Sequence, residues 1–75
     1  MSKLPTVSGQ EIVRALAKIG YQFDHQRGSH IVLRQSFAPY RRLTVPNHKT
    51  VAKGTLRAII REVGLTVDDF VALIS

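Results

Sequence analysis

Three histidines, His25, His30 and His48, are the side chains of this sequence best suited to proton transfer near neutral pH. An imidazole has an unperturbed pKa of about 6.5, and nearby cations favour its neutral form. A neutral imidazole can take the proton of a ribose 2′-hydroxyl while arginine and lysine stabilise the charge that develops on the phosphate. The chemistry open to these residues is therefore metal-independent cleavage of RNA. It spares DNA, which lacks the 2′-hydroxyl.

His30 is the strongest catalytic candidate because of the residues that precede it. It follows Arg27, Gly28 and Ser29. The absent side chain of a glycine lets another backbone approach closely, and a serine can contact phosphate. A single strand histidine is more often a structural or surface residue, so these neighbours do not settle its role.

The other two histidines carry less information. His48 either shapes its loop, contacts RNA or acts as a second proton carrier, and His25 is expected to be an ordinary surface residue of a turn. The histidines lack the HExxH spacing of many zinc sites, and Asp24 is their one nearby carboxylate in the sequence. We therefore predict no metal site and no cofactor.

The charges are distributed unevenly along the chain. The net charge is +6, and the stretch from His25 to Arg61 contains no Asp or Glu. Such a stretch favours nucleic acid, because cations that neutralise phosphates release counterions. An acidic protein partner would respond to the same charge, and a merely solvated basic surface would look alike. The cations of the acid-free stretch are Arg27, Arg34, Arg41, Arg42, Lys49, Lys53, Arg57 and Arg61.

Length and composition restrict the class of protein. The 75 residues are predicted to form one domain, residues 1–75, small enough for a partner to add stability. A hydrophobic content of 44% predicts a folded chain, and the absence of cysteine is compatible with the reducing cytoplasm. The N-terminal residues lack the apolar core of a signal peptide, and the apolar run Phe70–Ile74 is too short for a membrane span.

Periodicity and turn residues predict an α+β domain with element order α-β-β-β-α, helices on one face of a three-stranded antiparallel sheet, and a short C-terminal helix. Ser8 and Glu11 form a capping-box signature at the first helix. The predicted elements are a helix at about Gly9–Ile19, a short strand around Tyr21 and Phe23, a turn at Gln26–Gly28, strands at Ser29–Gln35 and Arg41–Val45, and helices at Gly54–Val63 and Val67–Ile74.

These elements position the candidate residues. Strand alternation places His30 and Arg34 on the face opposite Ile31 and Leu33, and directs Arg42 away from the core.

The second predicted helix carries a stripe of like charges. Lys53, Arg57 and Arg61 are four residues apart and fall within roughly 80° of arc beside the apolar face. Their mutual repulsion suggests an anionic ligand.

Several segments occur in an order that is typical of one family. They are Ile19-Gly20-Tyr21, Arg27-Gly28-Ser29-His30, Val45-Pro46-Asn47-His48, Gly54-Thr55-Leu56-Arg57 with Ile60, and Val63-Gly64-Leu65-Thr66 before a helix that contains Phe70. In this ordered set the chain resembles the HicA-type toxins, small mRNA interferases of bacterial toxin–antitoxin pairs.

The resemblance implies a fold similar to the double-stranded-RNA-binding domain, a catalytic role for His30, and neutralisation by a HicB-type antitoxin that masks the active site. We therefore expect a cytoplasmic, metal-independent endoribonuclease that cleaves mRNA with His30 as acid or base and does not bind DNA directly. Gly28 and Ser29 carry over as parts of the motif without a catalytic role. The expected RNA-binding residues are Arg27, Gly28, Ser29, Arg34, Arg42, His48, Lys49, Lys53, Arg57 and Arg61.

Two other functions stay open at the level of the sequence. A non-catalytic module for double-stranded RNA would leave His30 dispensable and depend on Lys53, Arg57 and Arg61. An interaction module for an acidic protein would show no affinity for RNA at moderate salt.

Overall fold

Three helices and three strands make up the fold. The computed structural model describes residues 3–74. The elements are α1 (Gly9–Ala17), β1 (Tyr21–Arg27), β2 (His30–Gln35), β3 (Arg42–Pro46), α2 (Lys53–Glu62) and α3 (Val67–Ile74). The strands form an antiparallel sheet in the order β1-β2-β3, which confirms the predicted α+β fold with its additional C-terminal helix.

The ends of α1 follow from residues that the sequence singles out. The hydroxyl of Ser8 accepts from the backbone N–H of Glu11 at 3.1 Å, and the Glu11 carboxylate accepts from the N–H of Ser8 at 2.9 Å, which confirms the capping box. The helix ends at Ala17, two residues earlier than predicted. Gly20 has φ +96, and the N–H groups of residues 18–20 bond to carbonyls three residues back, so a tight turn replaces the last helical turn.

The other two helices lie close to their predicted positions. α2 begins at Lys53 and ends at Glu62, each one residue before the predicted bound, and Gly64 follows with φ +78. α3 has its predicted bounds, and Thr66 and Asp69 exchange side-chain-to-backbone hydrogen bonds of 3.0 and 3.1 Å at its start.

The core lies on one face of the sheet, because side chains alternate between the two faces along β2 and β3. α1 packs against β1, β3 and α3 on this face, and α2 packs against α3. Each element contributes buried side chains, among them Ile12 and Leu16 of α1, Tyr21 of β1, Ile31 and Leu33 of β2, Leu43 and Val45 of β3, Leu56 and Ile60 of α2, and Phe70 of α3.

β1 is longer than predicted and contains a β-bulge. Arg27 pairs with His30, so the turn consists of Gly28 and Ser29 rather than Gln26–Gly28. Gly28 has φ +59 at the first central position, where two-residue type II′ hairpins require glycine. The register shifts between Phe23 and His25, so Asp24 is the extra residue of β1.

The loop between β3 and α2 is fixed by backbone hydrogen bonds to three other segments. His48 O accepts from the N–H of Gly9 at 2.9 Å, and the N–H of Asn47 donates to Ser29 O at 2.6 Å. The N–H of Val51 donates to Val7 O at 2.8 Å. The loop is therefore held against the start of α1 and against the β1–β2 turn.

Candidate functional site

The face of the sheet that points away from the helices, which we call the open face, carries the residues with chemical potential. His30 and Arg34 of β2 and Arg42 of β3 are exposed there, as the strand alternation predicts. Thr44 is also exposed, and Val32 is half-buried between these polar residues. The open face is therefore a basic surface with an exposed histidine.

Two shallow depressions meet at His30. The first, which we call the strand depression, is lined by His25, Arg27, His30, Val32 and Thr44. The second, the edge depression, runs over the end of β3 towards α2 and is lined by His30, Thr44, Pro46, His48, Ala52 and Thr55.

His30 and Thr44 line both depressions. The His30 ring is exposed rather than packed in the apolar core, and a ligand in either depression could reach it.

The β1–β2 turn places the predicted motif beside His30. Arg27 lies directly opposite His30 in the strand register, so their side chains share the open face. A Cβ on Gly28 would meet nothing within 4 Å, so the space above this residue is open to a ligand. Gln26 Nε2 donates to Gly28 O at 2.9 Å, and Ser29 O accepts from Asn47, which fixes both turn residues.

His48 reaches the site from the other side. Its backbone carbonyl is held by Gly9, and its side chain lines the edge depression next to the first turn of α2. The structure therefore brings His48 and His30 to the same depression, although 18 positions separate them in the sequence.

His25 belongs to the site too, contrary to its sequence interpretation as an ordinary turn residue. It lies within β1 and lines the strand depression with His30. Asp24 Oδ2 lies 3.1 Å from His25 Nδ1 and 3.0 Å from Arg42 Nε. The bulge turns neighbouring residues towards the same side of the strand, which could not be inferred from alternation alone.

The Asp24 carboxylate is held in its ionised form. The hydrogen bond from Arg42 lowers its pKa most, and the contact with His25 lowers it further. An ionised carboxylate can only accept hydrogen bonds, so Nδ1 of His25 carries the proton between them. Asp24 thereby fixes the ring and leaves Nε2 of His25 for other partners.

An aromatic side chain adjoins the basic surface, which sequence reasoning did not anticipate. The guanidinium carbon of Arg34 lies 5.8 Å from the centroid of the Tyr40 ring, and Tyr40 is 53% exposed. Tyr40 has φ +58, an unfavourable conformation for a residue with a side chain. The turn in which the Tyr40 N–H donates to Phe37 O at 2.8 Å holds it in place.

The predicted cations of α2 lie outside the two depressions. Lys53 Nζ donates to Leu4 O at 2.9 Å and to Thr6 Oγ1 at 3.0 Å, so this lysine fastens the N-terminal segment to α2. Arg57 and Arg61 line a different depression at the α2–α3 junction. Lys49 is exposed in the β3–α2 loop. The structure thus groups Arg27, Gly28, Ser29, Arg34, Arg42 and His48 around His30, but not Lys53, Arg57 or Arg61.

Within residues 3–74, no three His, Asp or Glu side chains come together as metal ligands could. In the same part of the chain, no helix has the length and apolar character that crossing a bilayer demands.

A comparison with protein families gives one match. The model described as the HicA toxin of bacterial toxin–antitoxin systems matches residues 9–65, which include α1, the whole sheet and α2. A comparison with curated proteins finds no significant match. A toxin of such a system acts with a cognate antitoxin, so this chain has a partner protein. The chain belongs to the HicA toxin family and is the toxin of a toxin–antitoxin pair.

Proposed function

We propose that this toxin is an endoribonuclease that cleaves mRNA without a metal ion or cofactor, with His30 as the catalytic residue. The observation that carries the proposal is the position of His30. Its imidazole is exposed on the open face, opposite Arg27, where the strand and edge depressions meet.

The surroundings of His30 suit attack by a ribose 2′-hydroxyl on the neighbouring phosphorus. The imidazole would exchange the proton, as a positioned histidine commonly does in acid–base catalysis. Arg27 is close enough across the strand pair to stabilise the negative charge on the phosphate in the transition state. The open space above Gly28 gives the sugar–phosphate chain access to this point.

The remaining expected contacts divide by position. Arg34, with the Tyr40 ring beside it, would bind RNA at the far end of the open face, where an exposed aromatic ring can stack on a base. Arg42 already donates to Asp24 and would contribute through its remaining N–H groups. His48 and Lys49 would contact RNA at the edge depression, and Arg57 and Arg61 only where the RNA continues past α2.

The partner is proposed to be a HicB-type antitoxin that covers the open face and thereby occludes His30. The exposed cations of this face favour an acidic surface on the antitoxin. The proposed place of action is the cytoplasm, where mRNA is translated.

The test uses purified protein and end-labelled mRNA in EDTA. The wild type should cut, and His30→Ala should cut about 10²- to 10⁴-fold more slowly while binding RNA as well as the wild type does. Gln22→Ala is the matched control, because Gln22 lies opposite Arg34 on the open face, away from both depressions.

Two results would contradict the proposal. Cutting by His30→Ala at the wild-type rate would remove the histidine from the chemistry. Binding of duplex RNA without any cutting, abolished by Arg57→Ala with Arg61→Ala, would identify a double-stranded-RNA-binding module instead.

A further inference from the structure

We infer that His25 is the second proton-transfer residue of this site and protonates the 5′-oxygen that leaves when RNA is cut. The inference rests on the proposed function. Cleavage by a 2′-hydroxyl requires one group that accepts a proton and another that donates one, and His30 fills only one of these roles in the step.

The sheet register places the two imidazoles on either side of one small area. His25 lies opposite Val32 and His30 lies opposite Arg27, so the two histidines are diagonal neighbours on adjacent strands. Such neighbours are about 7–8 Å apart along the backbone, and both side chains line the strand depression. A phosphate between them would have an imidazole on each side, as displacement at phosphorus requires of its entering and leaving oxygens.

The contact with Asp24 suits His25 to the role of acid. The carboxylate accepts from Nδ1, fixes the ring, and provides a counter-charge for the imidazolium form, as a carboxylate does for other catalytic histidines. Arg42 reaches across β2 to hold the same carboxylate oxygen at 3.0 Å. His30 has no such carboxylate, since its cross-strand neighbour is Arg27. The base is therefore assigned to His30 and the acid to His25.

The charged and titratable groups around His25 come from all three strands. They are Asp24 and Arg27 of β1, His30 and Arg34 of β2, and Arg42 of β3. Asp24 is the one acid among them, so the imidazolium form of His25 depends on this single carboxylate.

His48 is the weaker candidate for the acid, although it shares the edge depression with His30. None of the hydrogen bonds found within residues 3–74 involves its imidazole, so no carboxylate orients the ring or balances its charge. It also lies in a loop, whereas His25 and His30 both lie on paired strands.

The proton balance of the step is simple. His30 takes the proton of the 2′-hydroxyl as the 2′-oxygen bonds to phosphorus. The bond between phosphorus and the 5′-oxygen breaks, its electron pair stays on that oxygen, and Nε2 of His25 supplies the proton. The products are a 2′,3′-cyclic phosphate and a 5′-hydroxyl, and no water, metal or oxidant takes part.

A sulfur substitution in the RNA separates the two roles. The cut site of the wild type is first mapped on mRNA, and two oligonucleotides with that sequence are made, one natural and one with sulfur in place of the 5′-bridging oxygen. A thiolate leaves without being protonated, so the second substrate needs no acid. His25→Ala should cut the natural RNA about 10²- to 10⁴-fold more slowly and the sulfur RNA at close to the wild-type rate.

The control variants follow from the same logic. His30→Ala should be slow on both substrates, because the base is still needed, and Gln22→Ala should be normal on both. His48→Ala should change both rates by one common factor, as expected for a residue that only binds RNA.

Asp24→Asn tests the positioning role of the carboxylate. It should slow cutting of the natural RNA less than His25→Ala does, and the sulfur substrate should restore its rate. The alkaline limb of its pH–rate profile should move to lower pH, because the imidazolium loses its counter-charge.

Each contrary outcome has a distinct meaning. An equal loss on both substrates in His25→Ala, or no loss on the natural one, would overturn the assignment of His25 and leave the proposed function standing. If the wild type cuts neither substrate, the proposed function itself fails, and the role of His25 fails with it.

Discussion

Gly9 donates its backbone N–H to the carbonyl oxygen of His48 across 2.9 Å, so the first residue of α1 holds the loop that carries a histidine of the site. Gly9 is buried, and a Cβ at this position would lie 2.1 Å from the carbonyl oxygen of Pro46. The absence of a side chain therefore sets how closely α1 and this loop approach.

Replacing Gly9 by alanine should destabilise the protein. The added methyl group must displace backbone atoms, which costs about 1–3 kcal/mol in well-packed interiors, and the shift of the loop should also slow RNA cleavage. Gly54→Ala is the matched control, because a Cβ there meets nothing within 4 Å and alanine favours a helix by about 0.5–1 kcal/mol. Urea unfolding measures both, and equal midpoints for Gly9→Ala and the wild type would refute the packing argument.

The ionised Asp24 should make the stability depend on pH at the acid end. Its pKa is lowered, chiefly by Arg42, so its contribution is fully present above the ordinary aspartate value of about 3.9 and is lost as the pH falls through the lower folded value. The difference in melting temperature between the wild type and Asp24→Asn should be constant above about pH 5 and shrink below about pH 4.

The cause of the shift can be tested separately. Arg42→Ala should raise the pKa of Asp24 in an NMR titration, because the strongest hydrogen bond to the carboxylate is lost. Arg14→Ala removes the same charge from α1 and should leave the titration unchanged. A carboxylate that titrates alike in both variants would exclude Arg42 as the cause.

Arg27→Ala should weaken RNA binding through loss of one phosphate contact. For single-stranded RNA the slope of log affinity against log salt should become shallower by about 0.7. Fluorescence anisotropy in a His30→Ala background measures the affinity without cleavage, and Arg14→Ala again serves as the control. A slope that falls equally in both variants would show that only the net charge matters.

Lys53→Ala should lower stability more than it lowers RNA affinity. The lysine donates to Leu4 O and Thr6 Oγ1, and a hydrogen bond of this kind contributes about 0.5–1.5 kcal/mol. Arg57→Ala, one turn further along α2, removes the same charge and should leave the melting temperature unchanged. The opposite pattern, normal melting with a loss of affinity as large as that of Arg27→Ala, would make Lys53 a phosphate contact.

The fold was largely predictable because its signals are local. The capping box at Ser8 and Glu11 defined the start of α1, and alternation in β2 separated Ile31 and Leu33 from His30 and Arg34. The errors of one or two residues arise where tertiary contacts decide the end of an element. Gly20, for example, tightens the last turn of α1, and pairing with β2 extends β1 to Arg27.

The site was predictable only in part. The motif before His30 is contiguous, so its place in a turn next to the strand could be read directly. The inclusion of His25 could not, because it depends on a bulge and on an arginine 18 positions away that holds Asp24. An acid followed by a histidine just before a glycine turn is the one local signal that was available.

The bulge at Asp24 also determines what β1 tolerates. Deleting one residue between Phe23 and His25 would restore regular pairing, and strict alternation would then send either a carboxylate or an imidazole to the helix side of the sheet. Burial there would be unfavourable for both groups. The length of this strand is therefore as much a requirement of the toxin as the identity of its side chains, and a frame-preserving codon deletion here should be poorly tolerated even if every named residue is kept.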